Sequence, residues 1–205
     1  MKYPQYIAVD IDGTIAYFCD GSQGFFSLFK ERGVSKEVLQ KTYEKVKEQG
    51  GFSPQKFLQY LPTFAGKEEA KEEFFLWLKE NLQVYEDSIP ALKQLQEKGI
   101  SIILLTVGDK EYQKKKVEML GIPAKEVLVV SSLAKKTEAV ERLAFSGKIP
   151  LWVVDDSLEF LNIVQRDFPF PEDLGTIWVN RNKKMQENLS HTHVKNLKEI
   201  LLYLP

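Results

Sequence analysis

Two aspartates separated by one residue, Asp10 and Asp12 in VDIDGT at positions 9–14, end a short apolar run, YIAVD. On an extended chain the side chains at i and i+2 share a face, so both carboxylates can approach one substrate. Carboxylates that close repel unless a cation or a shared proton compensates. Mg²⁺ is the natural hard cation for such an oxygen site, and Gly13 permits a tight turn out of the strand. A lone Asp-x-Asp is often only a solvated strand end. Asp-x-Asp-Gly-Thr after a hydrophobic first strand is far more specific.

Three further groups fall just past the ends of later apolar runs. Thr106 closes ISIILLT and is followed by Val107, Gly108 and Asp109. A hydroxyl with neighbouring backbone N–H groups can hold a phosphate oxygen; the plain alternative is a helix cap. Lys135 and Lys136 open the segment after VLVV, where an ammonium can neutralise a phosphate and a nucleophile; by itself a lysine pair is a solvated surface feature. Asp155 and Asp156 in WVVDDS are adjacent acids straight after a buried run, costly without positive charge nearby. A metal at the sheet edge explains them; capping of the next helix is the simpler alternative.

Groups so far apart in sequence need a frame that gathers them. Compact Val- and Ile-rich runs at Tyr6–Asp10, Ile100–Thr106, Val127–Val130, Leu151–Val154 and Thr176–Val179 predict strands covered on both faces. Helical stripes occupy 89–98, 110–120, 132–146, 157–165 and 194–204. From Ile100 onward strand and helix alternate, which predicts a parallel sheet with helices on both sides. About ninety residues separate Asp10 from Ile100, where a strand–helix–strand unit needs roughly thirty. The surplus reads as helices at 35–49, from Ser53, and at 67–82, with Ser35 as N-cap, Gly50 as stop and Pro54 at a first helical position. A helical insert therefore follows the first strand.

Asp-x-Asp, then Thr, then Lys, then Asp-Asp, one element per strand end, resembles the haloacid dehalogenase-like hydrolase superfamily, and the resemblance spans nearly the whole chain. It implies a Rossmann-like three-layer α/β/α core with a five-stranded parallel sheet in the order 5-4-1-2-3, over 1–17 and 87–205, plus a small all-helical cap over 18–86. It also implies roles. Asp10 becomes the nucleophile that forms an aspartyl-phosphate, and Asp12 the general acid/base. Thr106, Val107, Gly108 and Lys136 hold the phosphate. Lys136 fits better than Lys135, because KTEAVERL has the usual spacing to the apolar stripe. Mg²⁺ is held by Asp10, the Asp12 carbonyl and Asp156, with Asp155 in the outer shell. Dehalogenases and phosphonatases of this superfamily lack an acid two residues after the nucleophile, so Asp12 favours a phosphatase acting on a small phosphorylated metabolite. A phosphomutase of the same fold, or a non-catalytic phosphate-binding scaffold, are the alternatives. The aromatic residues of the insert (Phe25, Phe26, Phe29, Tyr43, Phe57, Tyr60, Phe64, Phe74, Phe75 and Trp77) are read mainly as its own core.

Composition narrows the partners. In 205 residues, 28 basic and 29 acidic side chains leave a net charge of −1, no electrostatic reason to expect nucleic acid or an anionic membrane. The N-terminus does not read as a signal peptide and no apolar run is long enough to cross a bilayer, so a cytoplasmic protein is expected. Oligomeric state is left open. The single cysteine, Cys19, excludes an internal disulfide and is read as a small packing residue. His191 and His193, in SHTHVKN, are read as a surface loop, and no histidine accompanies a plausible serine or cysteine nucleophile. A receiver-type phosphoacceptor disagrees with the order of the acids.

Overall fold

Short runs of β-branched and aromatic residues whose two faces are both covered form a central sheet. The computed structural model describes residues 3–181 and 190–204. In chain order the strands are β1 (Tyr6–Val9), β2 (Ala16–Phe18), β3 (Leu82–Val84), β4 (Ser101–Val107), β5 (Glu126–Val130), β6 (Leu151–Asp155), β7 (Leu174–Val179) and β8 (Thr192–Val194). The helices are α1 (Phe26–Lys30), α2 (Lys36–Glu48), α3 (Pro54–Tyr60), α4 (Lys67–Asn81), α5 (Ser88–Glu97), α6 (Lys110–Leu120), α7 (Leu133–Phe145) and α8 (Leu158–Asp167), followed by a 3₁₀ helix at Leu197–Tyr203.

Six parallel strands run in the order β5-β4-β1-β6-β7-β8. β1 is central, with Ala8 in register between Ile103 and Val153. Alternation sorts the side chains. Ile7, Val9, Ile102, Leu104, Trp152 and Val154 pack toward α5, α6 and the 3₁₀ helix, while Ala8, Ile103, Leu105, Leu151 and Val153 pack toward α7 and α8. The expected α/β/α layering holds.

The sheet has one strand more than the five predicted. β8 lies in SHTHVKN, read from sequence as a surface loop, and pairs with β7 through Ile177↔Thr192, Trp178↔His193 and Val179↔Val194. His191 is buried. Its Nδ1 is 2.8 Å from Thr176 Oγ1 and its Nε2 2.9 Å from Asn162 Oδ1. A three-residue strand with Val194 as its one apolar member leaves no periodicity to find. It also takes the start of the predicted last helix, which becomes the 3₁₀ helix.

Helices α1–α4 surround a separate apolar cluster that includes Phe25, Phe29, Leu39, Phe57, Phe74 and Trp77. Most of the insert's aromatics are packed inside it, although Phe75 is exposed. Ser35 caps α2, its side chain accepting from Val38 N. The two chain crossings between insert and core pair with each other as an antiparallel ribbon, β2 with β3, in register Ala16↔Val84 and Phe18↔Leu82. Cys19, just after β2, is exposed rather than packed. Gly51, at φ +94°, lies so close to Gly108 that a Cβ there would collide with the Gly108 backbone. Among the described residues, no helix is long and apolar enough to cross a membrane.

Candidate active site

Strand parity builds the centre of the site. Asp155 follows Leu151 and Val153 on the face of β6 turned to α7, and Asp10 follows Ala8 just past the end of β1. Both carboxylates meet Lys136, whose ammonium donates to Asp10 Oδ1 and to Asp155 Oδ2, each at 2.6 Å. Lys136 is set by the start of α7, where the Ser132 side chain caps the helix and accepts from Lys135 N. One residue earlier, Lys135 points to solvent and pairs with Glu138. Lys136 is thus the lysine at the acids.

Both oxygens of Asp155 are engaged: Oδ2 accepts from Lys136 and Oδ1 from Ser157 N at 2.8 Å. Asp156 lies beside it, and Asp10, Asp155 and Asp156 each bring a carboxylate oxygen within 4.8 Å of the others. Gly13, at φ +82°, makes room for this cluster, since a Cβ there would stand 2.5 Å from Asp156 Oδ2. An all-oxygen set of this kind fits a hard divalent cation.

Electrostatics support that fit. Burial pushes the Asp10 carboxyl up to about 7, with Lys136 pulling it down and Asp155 and Asp12 pushing it further up. Asp155 is raised for the same first reason, its burial. Burial would lower Lys136, but the two carboxylates outweigh it and hold the ammonium above its ordinary range. One buried ammonium between two buried acids leaves the cluster short of positive charge.

Asp12 takes a different direction from the one the i, i+2 argument suggested. β1 ends at Val9, so alternation no longer governs the DGT turn. The Asp12 carboxylate turns to α6, where Lys116 Nζ lies 2.7 Å from both of its oxygens and Gln113 Nε2 3.3 Å from Oδ2. Lys116 is buried, whereas the Asp12 side chain is 44% exposed and faces a cavity of about 510 Å³. That cavity also touches Gly13, Val107 and Gln113 from the core, and Phe25, Tyr43 and Phe52 from the insert.

Thr106 is buried near the end of β4, in register with Val129, and the Gly108 amide donates to Val130 O at 2.9 Å. Sequence reasoning missed three residues here. Lys116 and Gln113 share the inward stripe of α6 with Val117, at i, i+3 and i+4; polar residues on an otherwise apolar stripe were the available signal. The third is Arg181, which follows β7. Its guanidinium donates to Thr14 O at 2.6 and 3.0 Å and to Asp87 at 2.6 and 3.1 Å, fastening the DGT turn to the start of α5.

Comparisons with known proteins agree with this fold. A HAD phosphatase from Thermococcus onnurineus shares 23% identity over 97% of each chain, with a TM-score of 0.65. A magnesium-bound structure assigned as the HAD-hydrolase YfnB of Bacillus subtilis shares 16% over 99% of each chain, TM-score 0.59. An L-2-haloacid dehalogenase from Xanthobacter autotrophicus shares 10% over 96% of each chain, TM-score 0.61. At these identities the likeness is one of fold. No curated protein sequence matches the chain. The profile of the haloacid dehalogenase-like hydrolases matches residues 4–159, more than half of the chain, and the protein therefore belongs to that family.

Proposed function

We propose that the protein is a magnesium-dependent phosphatase that hydrolyses a small phosphate monoester through an aspartyl-phosphate on Asp10. The observation that carries this reading is Asp12. A carboxylate two residues after the nucleophile faces the cavity next to the acid cluster, where it can serve an oxygen leaving group. Carbon–halogen chemistry has no use for it.

In this reading Asp10, the Asp12 carbonyl and Asp156 hold the Mg²⁺, and Asp155 orients Lys136. When bound, the cation offsets negative charge on the phosphate and on Asp10. With Oδ1 held by Lys136, Asp10 Oδ2 attacks phosphorus and the bond to the ester oxygen breaks. Acting as general acid, Asp12 passes a proton to that oxygen, and the alcohol leaves. Water then attacks the same phosphorus, Asp12 takes a proton from it, and phosphate departs with Asp10 restored. The Lys136 ammonium lowers the cost of charge on the transferring group. The helical insert acts as a cap that keeps bulk water from the intermediate.

Mg²⁺-dependent release of phosphate from a generic ester tests this. Borohydride reduction during turnover should convert residue 10 to homoserine, visible by mass spectrometry. Asp10→Asn should abolish both signals; undiminished hydrolysis by that variant removes Asp10 as nucleophile.

A further inference from the structure

The DGT turn is stitched into a unit and gripped at its tip. Ile11 O accepts from Ile15 N and Ala16 N, each at 2.9 Å, and Gly13 N donates to Ala16 O at 2.8 Å. These bonds close residues 11–16 on themselves, and none of them uses Thr14 O. That carbonyl takes both of its donors from Arg181, Nη2 at 2.6 Å and Nε at 3.0 Å. Thr14 is fully enclosed, so water has no access to replace the guanidinium. A buried carbonyl without a partner is costly.

Arg181 is itself held in place. Nη1 lies 2.6 Å from Asp87 Oδ1 and Nη2 3.1 Å from Asp87 Oδ2, and Nη2 is also 3.1 Å from Ser88 Oγ. Asp87 Oδ2 accepts in turn from Leu197 N at 2.7 Å. The ring of Tyr85 lies against the guanidinium face, its centre 3.7 Å from Cζ, and Tyr85 N donates to Ile15 O at 3.0 Å. The Arg181 side chain is only 8% exposed. A planar fork with donors on two edges can serve Thr14 and Asp87 together; the single ammonium of a lysine cannot.

A stitched turn moves as one piece. Asp12 and Gly13 both lie within it, and Gly13 packs so closely on Asp156 that a Cβ there would stand 2.5 Å from Asp156 Oδ2. Tilting the turn about Thr14 therefore displaces Asp12 relative to Asp10 and Asp156, where about 1 Å of misplacement can cost about 100-fold in rate. Lys116 holds the Asp12 carboxylate; Arg181 holds the turn that carries it.

Resting on the phosphatase reading above, we propose that Arg181 is a positioning residue of the reaction. Through Thr14 O it fixes the tilt of residues 11–16, and with it the Asp12 carbonyl as a Mg²⁺ ligand and the Asp12 carboxylate as the proton carrier.

The two edges of the guanidinium separate this role from a merely structural one. Arg181→Lys keeps a cation beside Asp87 but cannot also serve Thr14 O. Asp87→Asn weakens the ion pair and leaves the Thr14 contact in place. Urea unfolding, Mg²⁺ affinity by calorimetry, kcat and KM are measured on both. Arg181→Lys should lower kcat and Mg²⁺ affinity each by about 10- to 100-fold, with KM for the ester little changed. Asp87→Asn should lose at least as much stability as Arg181→Lys, while its kcat and Mg²⁺ affinity stay close to wild type. In Arg181→Ala, added guanidinium should restore part of both losses, and methylammonium, with one donor nitrogen, should not. Wild-type values in Arg181→Lys, equal losses in Asp87→Asn, or equal rescue by methylammonium overturns the proposal. The two readings fail separately, because Mg²⁺ affinity is read without turnover. A wild type that hydrolyses no ester removes the phosphatase, and Arg181 then stands or falls on Mg²⁺ affinity. Turnover of an ester, with Arg181→Lys matching the wild type in kcat and Mg²⁺ affinity, removes only the positioning role.

Discussion

The ammonium of Lys116 stands 2.7 Å from both carboxylate oxygens of Asp12, across 104 positions of sequence. The lysine is buried and the aspartate half open, so the pair fixes the direction of Asp12 more than it stabilises the fold. We expect Lys116→Met, which keeps the length of the stem, to lower kcat/KM by up to about 100-fold through misplacement of Asp12. Stability to urea should change by less than about 1 kcal/mol, because Asp12 remains solvated. Asp12→Asn should cost about 10²- to 10⁴-fold, the range for loss of a general acid/base. A Lys116→Met enzyme with wild-type kinetics would show that this pair does not position Asp12.

Lys136 answers differently. It is enclosed with Asp10 and Asp155, both also enclosed, so Lys136→Met leaves two buried acids without their counter-charge. Breaking a buried pair from one side destabilises by about 3–5 kcal/mol. We expect a loss of this size in urea unfolding of the metal-free protein, with Mg²⁺ recovering part of it. A loss as small as that of Lys116→Met would mean the acids are neutral in the native state.

Asp10 links metal binding to pH. Its carboxyl is raised from 3.8 to about 7, chiefly by burial. A group raised in the folded state contributes stability that is complete below its unfolded value and lost as pH climbs through the folded value. The metal-free protein therefore loses this contribution on approaching and passing about pH 7, and a cation must displace the proton to bind. The rise in melting temperature caused by Mg²⁺ should be larger at about pH 8 than at about pH 6. Equal shifts at the two values would disprove the linkage.

His191 titrates with the opposite sign. Burial lowers its pKa below 6.5. The Asn162 carbonyl oxygen only accepts, so Nε2 carries the proton and Nδ1 accepts from Thr176 in the neutral ring. Its stabilising contribution is present above 6.5 and is lost as pH falls through the depressed value. Between about pH 7 and about pH 5 the wild type should lose stability more steeply than His191→Gln. Parallel curves would place the titration elsewhere.

The contact between Gly51 and Gly108 supplies a matched pair of variants. Gly50 and Gly51 both have positive φ, at +104° and +94°, so alanine strains either backbone. Only at Gly51 does a Cβ meet the main chain of the core; at Gly50 it would lie 3.4 Å from Ser131 Cβ, a tolerable distance. Gly51→Ala should therefore lower kcat/KM by about tenfold or more beyond Gly50→Ala, by shifting the insert relative to Asp12. Equal effects would reduce the contact to backbone strain.

The legible parts of this molecule are those where one residue type answers one local demand. Asp10, Thr106, Lys136 and the Asp155–Asp156 pair each follow a compact apolar run, and a parallel sheet collects the ends of such runs at one edge. The crossover helices were marked by their stripes, and α2 of the insert also by its cap, Ser35; the caps Ser132 and Ser157 emerge only in the structure. Lys116 was hidden because KKK at 114–116 looks like solvated charge, and only the stripe shared with Gln113 and Val117 sets its direction. Arg181 was hidden because its partners, Thr14 and Asp87, are distant in sequence and its role is to hold a carbonyl. β2, β3 and β8 have three residues each, too few for an alternation to register. Asp12 was misdirected because the rule for strands was carried one turn past the end of β1.

The β2–β3 ribbon has a mechanical consequence. Both covalent routes between the helical insert and the sheet pass through its three residue pairs, and its first residue, Ala16, is bridged to Asp12. Tyr17 and Phe18, the next two, belong to the cavity wall. Torque on the insert is thus delivered to the same short peptide that carries the Asp12 carboxylate and two of the rings around it. In the proposed mechanism, gripping the alcohol and aiming the acid become a single lever.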